Sequence, residues 1–185
     1  MSFSRNSRRV AFDGIFSGAV VFDLEKLERI YESNDMHDDP DQASFSPDGE
    51  SLLIVSAHHA ARIHHLTDKS ARTVIGRGGA VTDAYASTRF DTFVLVMGDG
   101  SLLFGDARAP DRARSVRADN AKAVGVAICE TQGSTTVVAA FDDSTIRTWD
   151  AARPDATPVT RATHDNVISS LSCARDARRV VSGSA

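Results

Sequence analysis

Two pairs of histidines, His58-His59 and His64-His65, have the residue type and close spacing of a candidate metal site. Imidazole nitrogens are common ligands of zinc and other transition metals. The pairs flank a predicted tight hairpin, but alternation along a strand points His64 and His65 to opposite faces of the sheet. We therefore expect no metal ion here and no cofactor. A metal or enzymatic site built on these histidines is kept as an alternative hypothesis.

The remaining residues with reactive side chains do not form a catalytic order. Gly76-Arg77-Gly78-Gly79 lacks the Lys-Ser/Thr pair that completes a phosphate-binding loop. The two cysteines, Cys129 and Cys173, are too few for a disulfide framework, so we interpret them as small buried apolar residues at the same position of two repeated strand units. We therefore expect a protein that is not an enzyme, in a reducing compartment such as the cytoplasm or nucleus.

The composition narrows the class of partner. The 185 residues carry a net charge of -4, whereas general nucleic-acid binders are normally basic. The longest apolar runs, such as residues 52–55 and 137–141, have the length of strands and not of membrane spans. We expect neither general nucleic-acid binding nor a membrane segment, and the start of the sequence does not resemble a secretory signal.

A repeated unit of short strands organises the whole chain. In its clearest copy, an apolar strand at 124–128 precedes a second strand at 136–140, a tight turn at 142–144 and a third strand at 145–150. The third strands of four copies end at Asp23, His65, Asp106 and Asp150, at intervals of 42, 41 and 44 residues. A four-stranded propeller blade spans about 40–45 residues. The spacing thus predicts an all-β propeller of antiparallel four-stranded blades; a β-sandwich is the alternative.

The predicted blades fill residues 1–185 as one domain. Their units are 1–33 (partial), 42–76, 80–118, 123–162 and 166–185 (partial). Strand counts of three, four, four, four and two give about 17, fewer than the roughly 20 strands of five closed blades. We therefore expect an open ring whose exposed ends associate with another chain; closure into a four-bladed ring is the alternative.

The turns and third strands resemble those of the WD-repeat family. Asp143 lies six residues before Trp149-Asp150, Phe45 to Gly49 resembles the usual first turn, and Thr163-His164-Asp165 resembles a Gly-His start of a blade. The resemblance implies a buried hydrogen-bonded set of turn Asp, His, second-strand Ser or Thr, and Trp. The set is incomplete in every copy: Ala139 replaces the Ser or Thr. At the Trp position, Phe22, His64 and Gly105 stand in the other three copies, and a hydrogen bond between His58 and His64 could replace the usual bond between the turn Asp and Trp. The structural motif positions are Phe22, Asp23, His64, His65, Gly105, Asp106, Asp143, Trp149 and Asp150.

The resemblance implies a non-catalytic scaffold that binds protein or peptide partners through loops at one face of the propeller. The candidate partner-binding residues are His58, His59, Arg77, Asp99, Asp119, Asp142, His164 and Asp165. The acidic loop 34–41 could attract a basic partner. Phe104 to Arg108 partly resembles the Trp-Asp-x-Arg box of substrate receptors of cullin ubiquitin ligases, which is an alternative function.

Overall fold

The computed structural model describes residues 2–4, 6–14, 18–33, 40–46, 48–56, 60–74, 81–87, 92–106, 109, 112–174 and 178–184. These residues form eighteen strands in five antiparallel sheets, numbered here in chain order. Sheet 1 contains β1 (Ser2–Phe3), β2 (Arg9–Gly14), β3 (Gly18–Asp23) and β4 (Glu28–Glu32). Sheet 2 contains β5 (Pro40–Phe45), β6 (Ser51–Ser56), β7 (Ala60–His65) and β8 (Ala71–Val74).

Sheets 3 and 4 also have four strands. Sheet 3 contains β9 (Val81–Ala86), β10 (Phe93–Met97), β11 (Leu102–Gly105) and β12 (Arg114–Val116). Sheet 4 contains β13 (Ala123–Glu130), β14 (Thr135–Phe141), β15 (Thr145–Asp150) and β16 (Val159–Thr163). Sheet 5 has two described strands, β17 (Ile168–Cys173) and β18 (Val180–Ser184). The predicted all-β class and antiparallel units are confirmed.

Each sheet is a simple meander in which every strand pairs with the next one along the chain. In sheets 3 and 4, the tight turn that joins the second and third strands contains an Asp side chain that accepts a backbone N–H of the same turn. Asp143 Oδ1 accepts the backbone N–H of Thr145 at 3.1 Å, and Asp99 Oδ1 accepts that of Ser101 at 2.9 Å. These Asx turns are local, which is why the hairpins could be predicted from the sequence.

Sheet 1 differs from the expectation of a partial, three-stranded unit. Ser2–Phe3 pairs with β2, Phe3 opposite Val10, and supplies the first strand that was predicted to be mostly missing. Ser4 follows this strand and closes a turn, because its hydroxyl accepts the N–H of Arg9 at 2.9 Å. The sequence from Phe3 to Asn6 resembles the end of a first strand and its turn, but two residues are too few for an alternation pattern, so the full pairing could not be predicted.

Successive sheets pack face to face, and their first strands lie side by side. Strand β5 contacts β1 and β9, and β13 contacts β9 and β17. A side chain joins two of these strands directly, since Asp83 Oδ2 on β9 accepts the backbone N–H of Val126 on β13 at 3.0 Å. A separate apolar core fills each of the four junctions between neighbouring sheets.

The central strands are apolar on both faces because both faces are covered. All five residues of β10 are buried: Phe93, Leu95 and Met97 pack toward sheet 2, while Val94 and Val96 pack toward sheet 4. Such continuous apolar runs are typical of strands that are buried on both sides. Among the described residues, no helix is long and apolar enough to cross a membrane.

Candidate partner-binding face

One end of sheets 3 to 5 gathers two tight turns and two inter-sheet loops. In a meander, the turn between the second and third strands lies at the same end as the loop that leaves the fourth strand. We call this surface the turn face and define it as residues 98–101, 117–122, 142–144 and 164–167. It contains five of the predicted partner-binding residues: Asp99, Asp119, Asp142, His164 and Asp165. The other three, His58, His59 and Arg77, lie outside the described residues. Residues 34–39 of the acidic loop also lie outside them.

Backbone hydrogen bonds hold the turns and loops of this face together. Ala123 N donates to Gly100 O at 3.0 Å, and His164 N donates to Ser144 O at 2.9 Å. Asp142 is bonded twice to Lys122: its N–H donates to the Lys122 carbonyl at 2.9 Å, and its carboxylate accepts the Lys122 N–H at 2.9 Å. The loops are therefore fixed to the strands that carry them, as a preorganised binding surface requires.

Gly100 is required where the first of these turns meets its loop. Its φ is +81°, in the left-handed region that favours glycine. A Cβ at this position would also lie 2.7 Å from the Cα of Lys122. Any other residue would push apart the turn that holds Asp99 and the loop that holds Asp119.

Arg147 organises the charges below the turn face. Its side chain is 11% exposed and lies over the ring of Phe141, 4.6 Å from the ring centroid. Its Nη2 donates to Asp143 Oδ2 at 2.6 Å, and its Nη1 lies 3.5 Å from Asp119 Oδ2. This role of Arg147 was not predicted from the sequence. The i, i+4 spacing of Asp143 and Arg147 across a turn and a strand was the available signal.

The pKa values of two turn carboxyls are lowered. Burial alone would raise the pKa of Asp143, but the hydrogen bonds from Thr145 and the charge of Arg147 outweigh it, so the pKa falls. The pKa of Asp99 falls chiefly because the Ser101 hydroxyl and N–H donate to its carboxylate, with Arg117 adding a smaller effect. Both carboxylates are therefore charged at neutral pH and stabilise their turns.

The described part of the turn face is acidic at its surface. Five carboxylates (Asp99, Asp119, Asp142, Asp143 and Asp165) outnumber three cations (Arg117, Lys122 and Arg147) in and directly beneath it. The side chain of Asp119 is 91% exposed, and Asp142 and Asp165 are also exposed. A groove of about 350 Å³ extends from this face between sheets 3 and 4, lined in part by Arg117, Asp119, Arg147 and Asp155.

Among the described residues, Asp143 and Trp149 do not form the hydrogen-bonded set that the resemblance implies. Trp149 is 3% exposed and packs against Phe104 and Phe141, with ring centroids 6.2 and 6.0 Å away. Asp143 bonds to Thr145 and Arg147. Within the part of the chain that the structure describes, Trp149 Nε1 has no hydrogen-bond partner. Ala139, where the family pattern has Ser or Thr, lies in the same core.

Two histidines at motif positions have partners. His64 is buried, and its Nδ1 lies 2.5 Å from the hydroxyl oxygen of Tyr31 in sheet 1. The proposed partner His58 lies outside the described residues. His65 points the other way, as predicted from alternation, and its Nδ1 lies 2.9 Å from Ser51 Oγ. The described residues contain no group of three or more His, Cys, Asp or Glu placed to hold a metal ion.

The remaining motif positions are structural. Asp23 and Asp150, which end equivalent third strands, each accept a backbone N–H two residues on, from Glu25 at 2.9 Å and Ala152 at 3.0 Å. A larger side chain at Gly105 is excluded because the Phe93 ring occupies the space: an added Cβ would lie 2.1 Å from the ring. Phe22 is partly exposed at the surface of sheet 1. Asp106 follows β11, whereas Ala107 and Arg108 of the possible ligase box lie outside the described residues.

The interpretation of the cysteines as unpaired apolar residues is wrong. Cys129 on β13 and Cys173 on β17 form a disulfide, with a Cα–Cα distance of 5.5 Å. They occupy the same position of neighbouring first strands, as the repeat predicted, and these strands lie side by side. A shared repeat position therefore brings together two residues that are 44 positions apart. The cysteines no longer support the expectation of a reducing compartment.

Comparison with known proteins adds no relative: no protein-family model matches the chain, and no curated protein is significantly similar to it.

Proposed function

We propose that this chain is a divergent WD-repeat β-propeller segment that acts as a non-catalytic scaffold. It binds a protein or peptide partner through the turn face. Two local features of the family pattern support the assignment: the Asp143 turn before Trp149, and the hydrogen bond between His164 Nε2 and Ser182 Oγ at 2.7 Å. The side-by-side first strands and face-to-face sheets are also what a propeller requires.

The observation that carries the binding proposal is the exposed acidic surface on a fixed frame. Asp119, Asp142 and Asp165 are exposed, while the backbone beneath them is bonded to neighbouring strands. Carboxylates attract cations, and a backbone that is already held in place loses little conformational entropy on binding. The partner that this surface favours is a protein segment rich in lysine and arginine.

The test measures the binding of fluorescent peptides of one length, rich either in Lys and Arg or in Asp and Glu, by anisotropy at low and physiological salt. The basic peptide should bind and the acidic one should not. Asp119→Lys and Asp165→Lys should each weaken binding by about tenfold at low salt, since each reverses a charge at the surface.

A matched control separates a site from general charge attraction. Glu28→Lys makes the same charge change at the start of β4, at the opposite end of the strands. Its side chain is exposed and has only a 3.6 Å ion pair with Lys26. If Glu28→Lys weakens the basic peptide as much as Asp119→Lys does, the turn face is not the binding site.

A further inference from the structure

Sheet 1 exposes an apolar face that differs from every other described sheet surface. We call it the outer face and define it as Phe3, Phe12, Phe22, Leu24 and Leu27, which are 36% to 82% exposed. Phe3 and Phe22 both pair with Val10, and Phe12 lies two residues further along β2, so strand alternation places them on one side. A cavity of about 430 Å³ lies among Phe12, Phe22, Leu24 and Leu27.

The opposite side of the same sheet is already buried. Ala11, Val21 and Tyr31 alternate with the residues of the outer face and pack in the core shared with sheet 2. Sheet 1 is therefore apolar on both sides. A sheet with one solvated side normally alternates apolar and polar residues, so this pattern indicates that the outer face is also covered.

The equivalent faces of sheets 2 and 4 indicate which kind of surface covers the outer face. Phe22 occupies the motif position of His64 and Trp149, and in sheets 2 and 4 that position faces the preceding sheet. His64 contacts Tyr31 of sheet 1, and Trp149 contacts Phe104 of sheet 3. In sheets 2 and 4, the face that carries the third-strand motif residue therefore packs against side chains of another β-sheet.

We propose that the outer face is the interface of a two-fold symmetric dimer, in which the outer face of one copy packs on that of a second copy. The five side chains would contribute roughly 500 Å² per copy, if a large apolar side chain exposes about 200 Å². Two copies thus approach the ~1,000 Å² that a specific interface needs, before the rim is counted. Two-fold interfaces of this isologous kind are the commonest in homo-oligomers.

The charges at the rim fit a second copy of the same surface. Arg8 and Lys26 balance Asp23 and Glu25 beside the face, and Arg8 forms an ion pair with Glu25 within one chain. A symmetric copy would therefore meet charges of both signs and would not be repelled. The outer side of sheet 5 is a poorer partner for aromatic rings, because Ser170 and Ser172 lie there beside Val181 and Gly183.

The test measures the mass of the full chain by sedimentation equilibrium up to roughly 100 μM, where an interface of this size should be occupied. The expected mass is twice 19.8 kDa. Leu27→Asn removes the most exposed apolar side chain, and Asn tolerates the left-handed φ of 56° at this turn position. It should raise the dimer dissociation constant by about tenfold or more. Phe12→Lys should give a monomer.

Val181→Asp is the matched control, because Val181 is 68% exposed on β18 and lies away from the outer face. It should leave the dimer intact. A wild-type monomer across the whole concentration range would overturn the proposal. So would a dimer that survives Leu27→Asn but is lost in Val181→Asp, since this would place the contact at sheet 5. Circular dichroism melts verify that each variant is folded, and Leu27→Asn remains decisive if Phe12→Lys does not fold.

Discussion

The Nε2 atom of His164 lies 2.7 Å from the hydroxyl oxygen of Ser182. His164 is in the loop before β17, and Ser182 is on β18, so the bond ties the loop to the second strand of the sheet that follows it. The same loop is bonded to sheet 4 through His164 N and Ser144 O at 2.9 Å. His164 thus connects sheet 5 to the turn face through both its backbone and its side chain.

Loss of the Ser182 hydroxyl should destabilise the chain. Ser182→Ala removes one partner of a half-buried bond, so we expect the free energy of unfolding to fall by about 0.5–1.5 kcal/mol. Urea titration followed by tryptophan fluorescence measures it. Ser172→Ala, at an exposed serine of β17, is the control and should change stability by less than about 0.5 kcal/mol. Equal effects of the two substitutions would argue that the bond adds nothing.

Trp149 should contribute to stability through its ring and not through its N–H group. Trp149→Ala should lower the free energy of unfolding by about 3–5 kcal/mol, because the ring fills the core between sheets 3 and 4. Trp149→Phe should cost much less, since it also removes a buried donor that has no partner in the described part of the chain. Circular dichroism in urea gives both values; a loss below about 1 kcal/mol for Trp149→Ala would contradict burial of the ring.

The indole N–H of Trp149 has no partner among the described residues, and a new acceptor beside it should therefore raise stability. Ala139 lies on the same side of sheet 4 as Trp149, since it pairs with Arg147 two residues away. Ala139→Ser would add a hydroxyl acceptor on the side of the sheet that holds the indole ring. We expect it to raise the urea midpoint of the wild-type chain and to lower that of Trp149→Phe, in which the new hydroxyl has no indole donor. The same direction of change in both backgrounds would contradict the pairing.

The repeat could be predicted from the sequence because its signals are local. The apolar runs of β10 and β14 are each followed by an Asp-Gly or Asp-Ser turn and a further strand. This pattern predicts antiparallel hairpins without any knowledge of the neighbouring sheets. Asp99 and Asp119 could be assigned to one face for the same reason, since a meander determines which loops share an end. The short strand Ser2–Phe3 was predicted only in part, as the end of a strand at Phe3, because it has too few residues for a pattern.

Contacts between sheets were harder to predict, because they depend on which side chains the packing brings together. The Tyr31–His64 contact spans 33 positions, and no spacing rule connects a fourth strand with the third strand of the next sheet. The disulfide was missed in the same way: Cys129 and Cys173 were recognised as equivalent, but the contact between neighbouring first strands was not converted into a distance. Because β13 and β17 lie side by side, residues at equivalent positions of these two strands are neighbours in space.

Acid should weaken the turn at Asp143. Its pKa is lowered in the folded chain, so its contribution to stability is fully present above its ordinary pKa of 3.8 and is lost as the pH falls through the lower, folded value. The side chain is 38% exposed, so solvent screening limits the Arg147 pair to less than about 1 kcal/mol. Asp143→Asn should lower the free energy of unfolding at pH 7. Near pH 3, the difference in this free energy between wild type and variant should be smaller. A difference that is the same at both pH values would contradict the pair.

Reduction of the disulfide should destabilise sheet 5 in particular. The bond closes a segment of 44 residues, for which restriction of the unfolded chain predicts roughly 2–4 kcal/mol. Sheet 5 has few other anchors: among its described apolar residues Ile168 is buried, Leu171 and Cys173 are partly buried, and Val180 and Val181 are exposed. We expect a reductant to lower the urea midpoint of the wild type and to leave that of Cys129→Ala/Cys173→Ala unchanged. Hydrogen exchange should rise first in β18. Two thiols titrated in the unfolded chain without reductant would show that the bond is not formed and would contradict the prediction.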